Sequence, residues 1–166
     1  MEQFVIEVFV QEIITQCEFA KIAMADLRAA LRTHNTRRVF YSAHAFLVAV
    51  GNISKILWPG AQHKRRGDEL RRVLRVPVNS PIKARDFRNF YEHYDERLDK
   101  WVASSKSKNL ADMNIMGPNG IVGLDPEDFM RNLDPTNLNL TFRGDTYDLL
   151  AAEGALNSIL NEANSF

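Results

Sequence analysis

Apolar residues recur through the first part of the chain at alternating intervals of four and three. Ile6, Val10, Ile13, Cys17, Ala20, Met24, Leu27 and Leu31 form an unbroken series of this kind, and it predicts one long helix over residues 2–33 with a lengthwise packing seam. Val39, Ala43, Phe46, Val50, Ile53 and Leu57 repeat the spacing, so a second helix is expected over about 36–58, with Asn35 as its N-cap and Pro59–Gly60 as its end. Gly51 lies within it and weakens helix propensity, which calls for a close helix contact there. A link this short sets the two helices antiparallel. A shorter helix is predicted near 66–75, with Leu70, Val73 and Leu74 inward and Arg65, Arg66, Arg71, Arg72 and Arg75 outward. Ser80 followed by Pro81 then signals a further helix, expected to run to about Val102 on a stripe of Phe87, Phe90, Tyr91, Tyr94, Leu98 and Trp101.

After residue 103 the pattern changes. Met113, Ile115, Ile121 and Val122 flank the turn GPNG, and Leu138, Leu140 and Phe142 alternate with polar residues, so short strands are expected. Asp125 with Pro126 marks a helical turn between them, and a last helix is predicted from about Asp145, carrying Tyr147, Leu149, Leu150, Leu156, Ile159 and Leu160. The fold class that results is mainly α. It is an antiparallel four- to five-helix bundle in one domain over residues 1–166, with a small antiparallel strand pair inserted at about 110–143 before the last helix.

Composition adds limits. The chain has 166 residues, enough for one core. No run reaches the roughly 18 uninterrupted apolar residues of a membrane span, and MEQFVIEVFVQE carries acids where a signal peptide carries bases, so no membrane partner and a cytoplasmic location are expected. The single cysteine, Cys17, lies in the apolar seam and reads as packing. Net charge is zero, yet residues 37–88 hold twelve Lys or Arg against three acids, while the rest of the chain holds nine against eighteen. The run HKRRGDELRRVLR places bases on one helix face, a surface suited to phosphate, and Arg85 extends it. No aromatic residue is interleaved in that run. There is no Gly-rich phosphate loop, no histidine pair at metal spacing and no visible nucleophilic triad, so no cofactor or metal is expected.

Within RDFRNFYEH, Arg88 and Asn89 precede His93. Two long antiparallel helices, a short basic one and a helix bearing Arg88, Asn89 and His93 resemble the HEPN superfamily, whose motif is an arginine, four to six residues, then a histidine, often with a polar residue directly after the arginine. Arg28–His34, Arg37–His44 and Arg38–His44 satisfy the same spacing, and context singles out Arg88–His93. The resemblance implies a metal-independent endoribonuclease, usually dimeric, of toxin or phage-defence type, with RNA as substrate and an antitoxin protein as a further partner. Attack by an RNA's own 2′-hydroxyl needs proton transfer near neutral pH, which a histidine side chain suits, and a positive fork on the phosphate, which an arginine supplies. His93 is then the acid or base and Arg88 the clamp, with Asn89, Tyr91 and Glu92 in support and Arg65, Arg66, Arg71, Arg72, Arg75 and Arg85 binding RNA. Some toxin members place a tyrosine two residues after the histidine, whereas this chain has Tyr94 directly after it and Asp95 second.

On one helix, residues five apart point about 140° apart, so the expectation is a homodimer through residues 81–102 that brings Arg88 of one copy to His93 of the other. Asp95 and Glu96 read as a solvated face, and His44, among Phe40, Leu47 and Val48, as a core or interface histidine. The alternative to the enzyme is a noncatalytic module that binds nucleic acid or protein through the basic face.

Overall fold

The computed structural model describes residues 2–84, 93–104, 111–117, 120–125 and 128–166. It is mainly helical, with a small four-stranded sheet ahead of the last helix. The α1 helix, Gln3–Arg32, and α2, Thr36–Leu57, fall almost where the apolar periodicity places them. Between them His34 adopts a left-handed φ of 53°, and the Asn35 N–H returns to the Ala30 carbonyl at 2.9 Å, which closes α1. The Asn35 side chain then accepts the Arg38 N–H at 3.0 Å and opens α2. Asp26 pairs with Arg38 at one end of the hairpin and the Asn52 amide reaches Gln16 at 3.2 Å towards the other, so the two helices run antiparallel.

Ile13, Met24, Leu27, Val39, Phe46, Leu47, Val50, Ile53 and Leu57 are fully buried between these helices and the elements laid on them. Burying each large apolar side chain contributes about 1.5–3 kcal/mol, so this seam dominates the fold. By length and composition α2 resembles a membrane span, but most of that window is buried inside the fold. Gly51 is buried within α2.

A 3-10 turn, Ala61–His63, leads into α3, Lys64–Val73, which begins earlier than its apolar pattern suggests. Leu70 and Leu74 are buried, and Val73 is half-buried against the core. Gly67 lets α3 approach the end of α2: a Cβ there would lie 2.5 Å from Pro59 Cδ and 2.7 Å from the Leu57 carbonyl oxygen.

The helix expected over 81–102 is not continuous. Pro81–Lys83 forms a 3-10 turn, Ala84 is extended (φ −54°, ψ 124°), and the next described helix, α4, is Tyr94–Ser104. The Ser80 side chain makes no cap bond, which leaves nothing to nucleate a longer helix at that start.

The expected strand pair is a mixed sheet of four strands. The strands are β1 (Asn114–Ile115), β2 (Arg131–Leu133), β3 (Asn139–Phe142) and β4 (Asp145–Asp148), ordered as they are numbered. β1 runs parallel to β2, and the other pairings are antiparallel. Ile121 and Val122 therefore do not pair across GPNG; they lie in a bend and turn, with Val122 fully exposed. The expected start of the last helix also shifts, because Arg143 and Gly144 have φ of 48° and 87°, the two-residue hairpin geometry that turns the chain into β4. Tyr147 is thus a buried strand residue opposite Leu140, and the inserted sheet ends at Asp148 rather than at 143. Asp148 accepts the Ala151 N–H at 2.8 Å and starts α5, Leu149–Asn164. α5 returns to α1, where Glu153 holds Arg28 by two bonds of 2.7 and 2.6 Å. Cys17 is buried beside it, and burial pushes its thiol up to about 12, so it stays protonated and unreactive.

Candidate functional site

His93 is the turn residue directly ahead of α4, and its carbonyl accepts the Arg97 N–H at 3.1 Å. It therefore stands at the head of a helix rather than within one. Its side chain is 57% exposed, with Nδ1 3.4 Å from the Glu96 carboxylate one turn on. Asp95 and Glu96 are exposed, as a solvated face requires, although Glu96 also serves as the histidine's neighbour. The other residues of the motif, Arg88, Asn89, Tyr91 and Glu92, and with them Arg85, lie outside the described residues, as do Phe87 and Phe90 of the apolar stripe.

The sheet fixes the orientation of α4. Trp101 is buried and donates its indole N–H to the Asp128 carbonyl at 3.0 Å. Arg97 lies 5.4 Å from the Phe142 ring centre and 3.7 Å from Asp145. Arg143 donates to Ser104 at 3.2 Å at the far end of the helix. The tyrosine of the stripe, Tyr94, packs half-buried against the core, whereas Leu98 stays exposed. Such a clamp holds α4 against the sheet, with His93 exposed at its head.

The basic face of α3 divides in two. Arg71 donates to the Leu57 carbonyl at the end of α2 and to Asp68, with its guanidinium 5.5 Å from the Trp58 ring centre. Arg66 stacks on Phe9 of α1 at 4.4 Å. These two fasten α3 to the hairpin. Arg65, Arg72 and Arg75 are exposed; Arg72 pairs with Glu69 at 2.6 Å and Arg75 approaches Glu162 at 3.5 Å. The Arg72 hydrogen bond is also what holds the Glu69 carboxyl below its usual range.

A hollow of about 280 Å³ opens beside this face, lined by Trp58, Lys64, Asp68, Arg71 and Lys83 among others. Trp58 and the two lysines were not singled out by the sequence pattern. Lys64 belongs to the HKRR run and Trp58 to the helix stop at Pro59, so the signal was present, but only folding brings an aromatic ring to the basic segment.

His44 is at the surface of α2, not in the core. Partial burial lowers its pKa, with a further contribution from the charge of Arg131, which Asp112 holds at 2.8 Å. Among the described residues no group of three His, Cys, Asp or Glu side chains could hold a metal ion. No family model matches the sequence, and no curated protein or solved structure matches it either.

Proposed function

We propose that the chain is a metal-independent endoribonuclease of HEPN type, folded as a four- to five-helix antiparallel bundle and serving as a toxin or in phage defence. The observation that carries the reading is the setting of His93: a solvent-accessible imidazole at the head of a helix clamped to the sheet, with a carboxylate beside Nδ1. In this reading Arg88 clamps the scissile phosphate. The 2′-oxygen attacks phosphorus while His93 moves the proton, and the bond to the 5′-oxygen breaks to leave a 2′,3′-cyclic phosphate and a 5′-hydroxyl. Glu96 takes the positioning part at Nδ1, which leaves Nε2 for the substrate. Arg65, Arg72 and Arg75, together with Lys64 and Lys83 around Trp58, supply sequence-independent attraction for the RNA backbone.

The test is RNA breakdown by the purified full-length protein in excess chelator. Removing a general acid or base costs roughly 10²–10⁴ in rate, so His93→Ala and Arg88→Ala should each abolish measurable cleavage while leaving the circular dichroism unchanged. Intact RNA after incubation with concentrated wild-type protein overturns the enzyme reading. The noncatalytic module is favoured by the exposed bases of α3 and requires RNA binding that weakens steeply with salt and survives both substitutions.

A further inference from the structure

The outer face of the α1–α2 hairpin is built like a helix interface but faces water. On α1, Phe4, Val8, Phe19 and Ile22 are 71, 51, 54 and 62% exposed, and on α2 Tyr41 and Val48 are 65 and 43% exposed. The residues fall at helical intervals, with Thr15 and Ala45 between them, so each helix carries a second apolar stripe opposite its core stripe. A shallow hollow lined by Phe19, Ile22, Tyr41 and Ala45 lies in the groove between the helices. An exposed apolar patch larger than a few hundred Å² marks an interaction surface.

We propose that this face binds a second copy of the chain, with the two hairpins packed face to face and the copies' α1 helices antiparallel. Two properties of the face select that occupant. The first is size: taking large side chains at roughly 150–250 Å² each, the six expose about 500–900 Å² of mostly apolar surface. A standard interface buries about 800 Å² on each partner, somewhat more than half of it apolar, so the stripe supplies what one such interface needs.

The second is charge. Residues 2–20 hold Glu2, Glu7, Glu12 and Glu18, all exposed, and no base. The other end of the hairpin exposes Lys21, Arg32, Arg37 and Arg38 against the single acid Asp26, which Arg38 already neutralises. Near the acidic end the bases are Lys55 of α2 and Arg66 of α3, which stacks on Phe9. A two-fold axis across the helices lays the acidic end of each hairpin on the basic end of its copy, whereas an axis along the helices sets like ends side by side. Among the described residues of 81–102, the exposed large apolar groups are Leu98 and Val102. This inference goes beyond the ribonuclease reading and uses none of its residues.

Sedimentation equilibrium of the full-length protein tests it, with circular dichroism as the control for folding. The wild type should be a dimer at micromolar concentration. Ile22→Glu and Tyr41→Glu, both at exposed positions, should each raise the dissociation constant at least a hundredfold, while Val102→Glu should leave it unchanged. Glu7→Lys combined with Glu18→Lys should weaken the dimer several-fold at low salt and much less in 1 M NaCl. A monomeric wild type at 100 μM overturns the proposal, as does a dimer that survives Ile22→Glu and Tyr41→Glu but is lost with Val102→Glu. A dimer indifferent to the paired charge reversals at low salt overturns the antiparallel arrangement.

Discussion

Between residues 3 and 57 the chain is held by side chains that water does not reach, among them Phe46, Met24, Ile53 and Leu27. Between residues 93 and 148 much of the holding is polar and directional: Trp101 on the Asp128 carbonyl, Arg131 on Asp112, Arg143 on Ser104, and Arg97 between Phe142 and Asp145. The first region is held by dry packing, and apolar side chains of the right size would serve at most of its positions. The second depends on particular atoms meeting, and it is the one that presents His93. Stability and the candidate chemistry thus sit in different halves, and substitutions should separate them.

The largest separation is expected from Phe46→Ala, at the dry centre of the hairpin. Truncating a fully buried phenylalanine costs about 3–5 kcal/mol, so the urea midpoint should fall for every probe at once. A selective effect on α4 would mean that the hairpin is not the common foundation. Gly67→Ala comes next. Helix propensity favours alanine by about 1 kcal/mol, but the new Cβ meets the Pro59 ring and the Leu57 carbonyl at distances that real contacts do not adopt. Overpacking of this kind costs about 1–3 kcal/mol, so a net loss of stability is expected in thermal melts. Gly154→Ala on α5, where a Cβ meets nothing within 4 Å, should raise stability by up to about 1 kcal/mol and makes the paired control.

The same contrast governs what could be read without coordinates. The hairpin was legible almost to the residue because a dry seam writes itself as a three–four repeat, and even the Asn35 cap was local. Tyr147 misled because one apolar residue ahead of a helix fits either period, and what decides it is the pair of left-handed residues Arg143 and Gly144, only one of which is a glycine. The pairing of β1 with β2 is parallel and joins residues 18 apart, Asn114 with Asn132, which no local pattern announces. The split of the α3 arginines was equally hidden. Arg71 and Arg66 look like Arg72 and Arg65 until Trp58, the Leu57 carbonyl and Phe9 arrive from other helices. At the candidate site, the motif pointed to His93 and the fold gave it its surroundings, moving it from mid-helix to a helix head; Arg88 lies outside the described residues.

A milder perturbation addresses the polar half directly. Trp101→Phe removes the indole N–H from the Asp128 carbonyl, which keeps its second donor, the Ala111 N–H at 3.1 Å. With one bond lost and a small cavity left, about 1–2 kcal/mol is expected. Hydrogen exchange should show faster opening of α4 amides with those of α1 and α2 unchanged, and RNA cleavage should fall if His93 acts from the head of that helix. Equal loss of protection in the hairpin would show that the two regions open as one unit and would dissolve the distinction between them.

The smallest effect is expected at His44, on α2, whose proton is disfavoured by partial burial and then by Arg131 of β2. An unfolded histidine gains its proton as pH falls through about 6.5, whereas folded His44 resists it. The unfolded chain therefore binds more protons in that window, and the stability present above it is lost as pH drops below it. Asp134, held down by the Thr136 hydroxyl, and Glu69, held down by Arg72, act only in the more acidic carboxylate range. Urea midpoints at pH 7.5 and 5.5 should thus differ more for the wild type than for His44→Gln, and the gap should be small because His44 is exposed. Arg131→Gln should narrow the gap less than His44→Gln does, since burial is the larger cause. If Arg131→Gln closes it fully, charge across the junction of the two regions, rather than partial burial, governs this histidine.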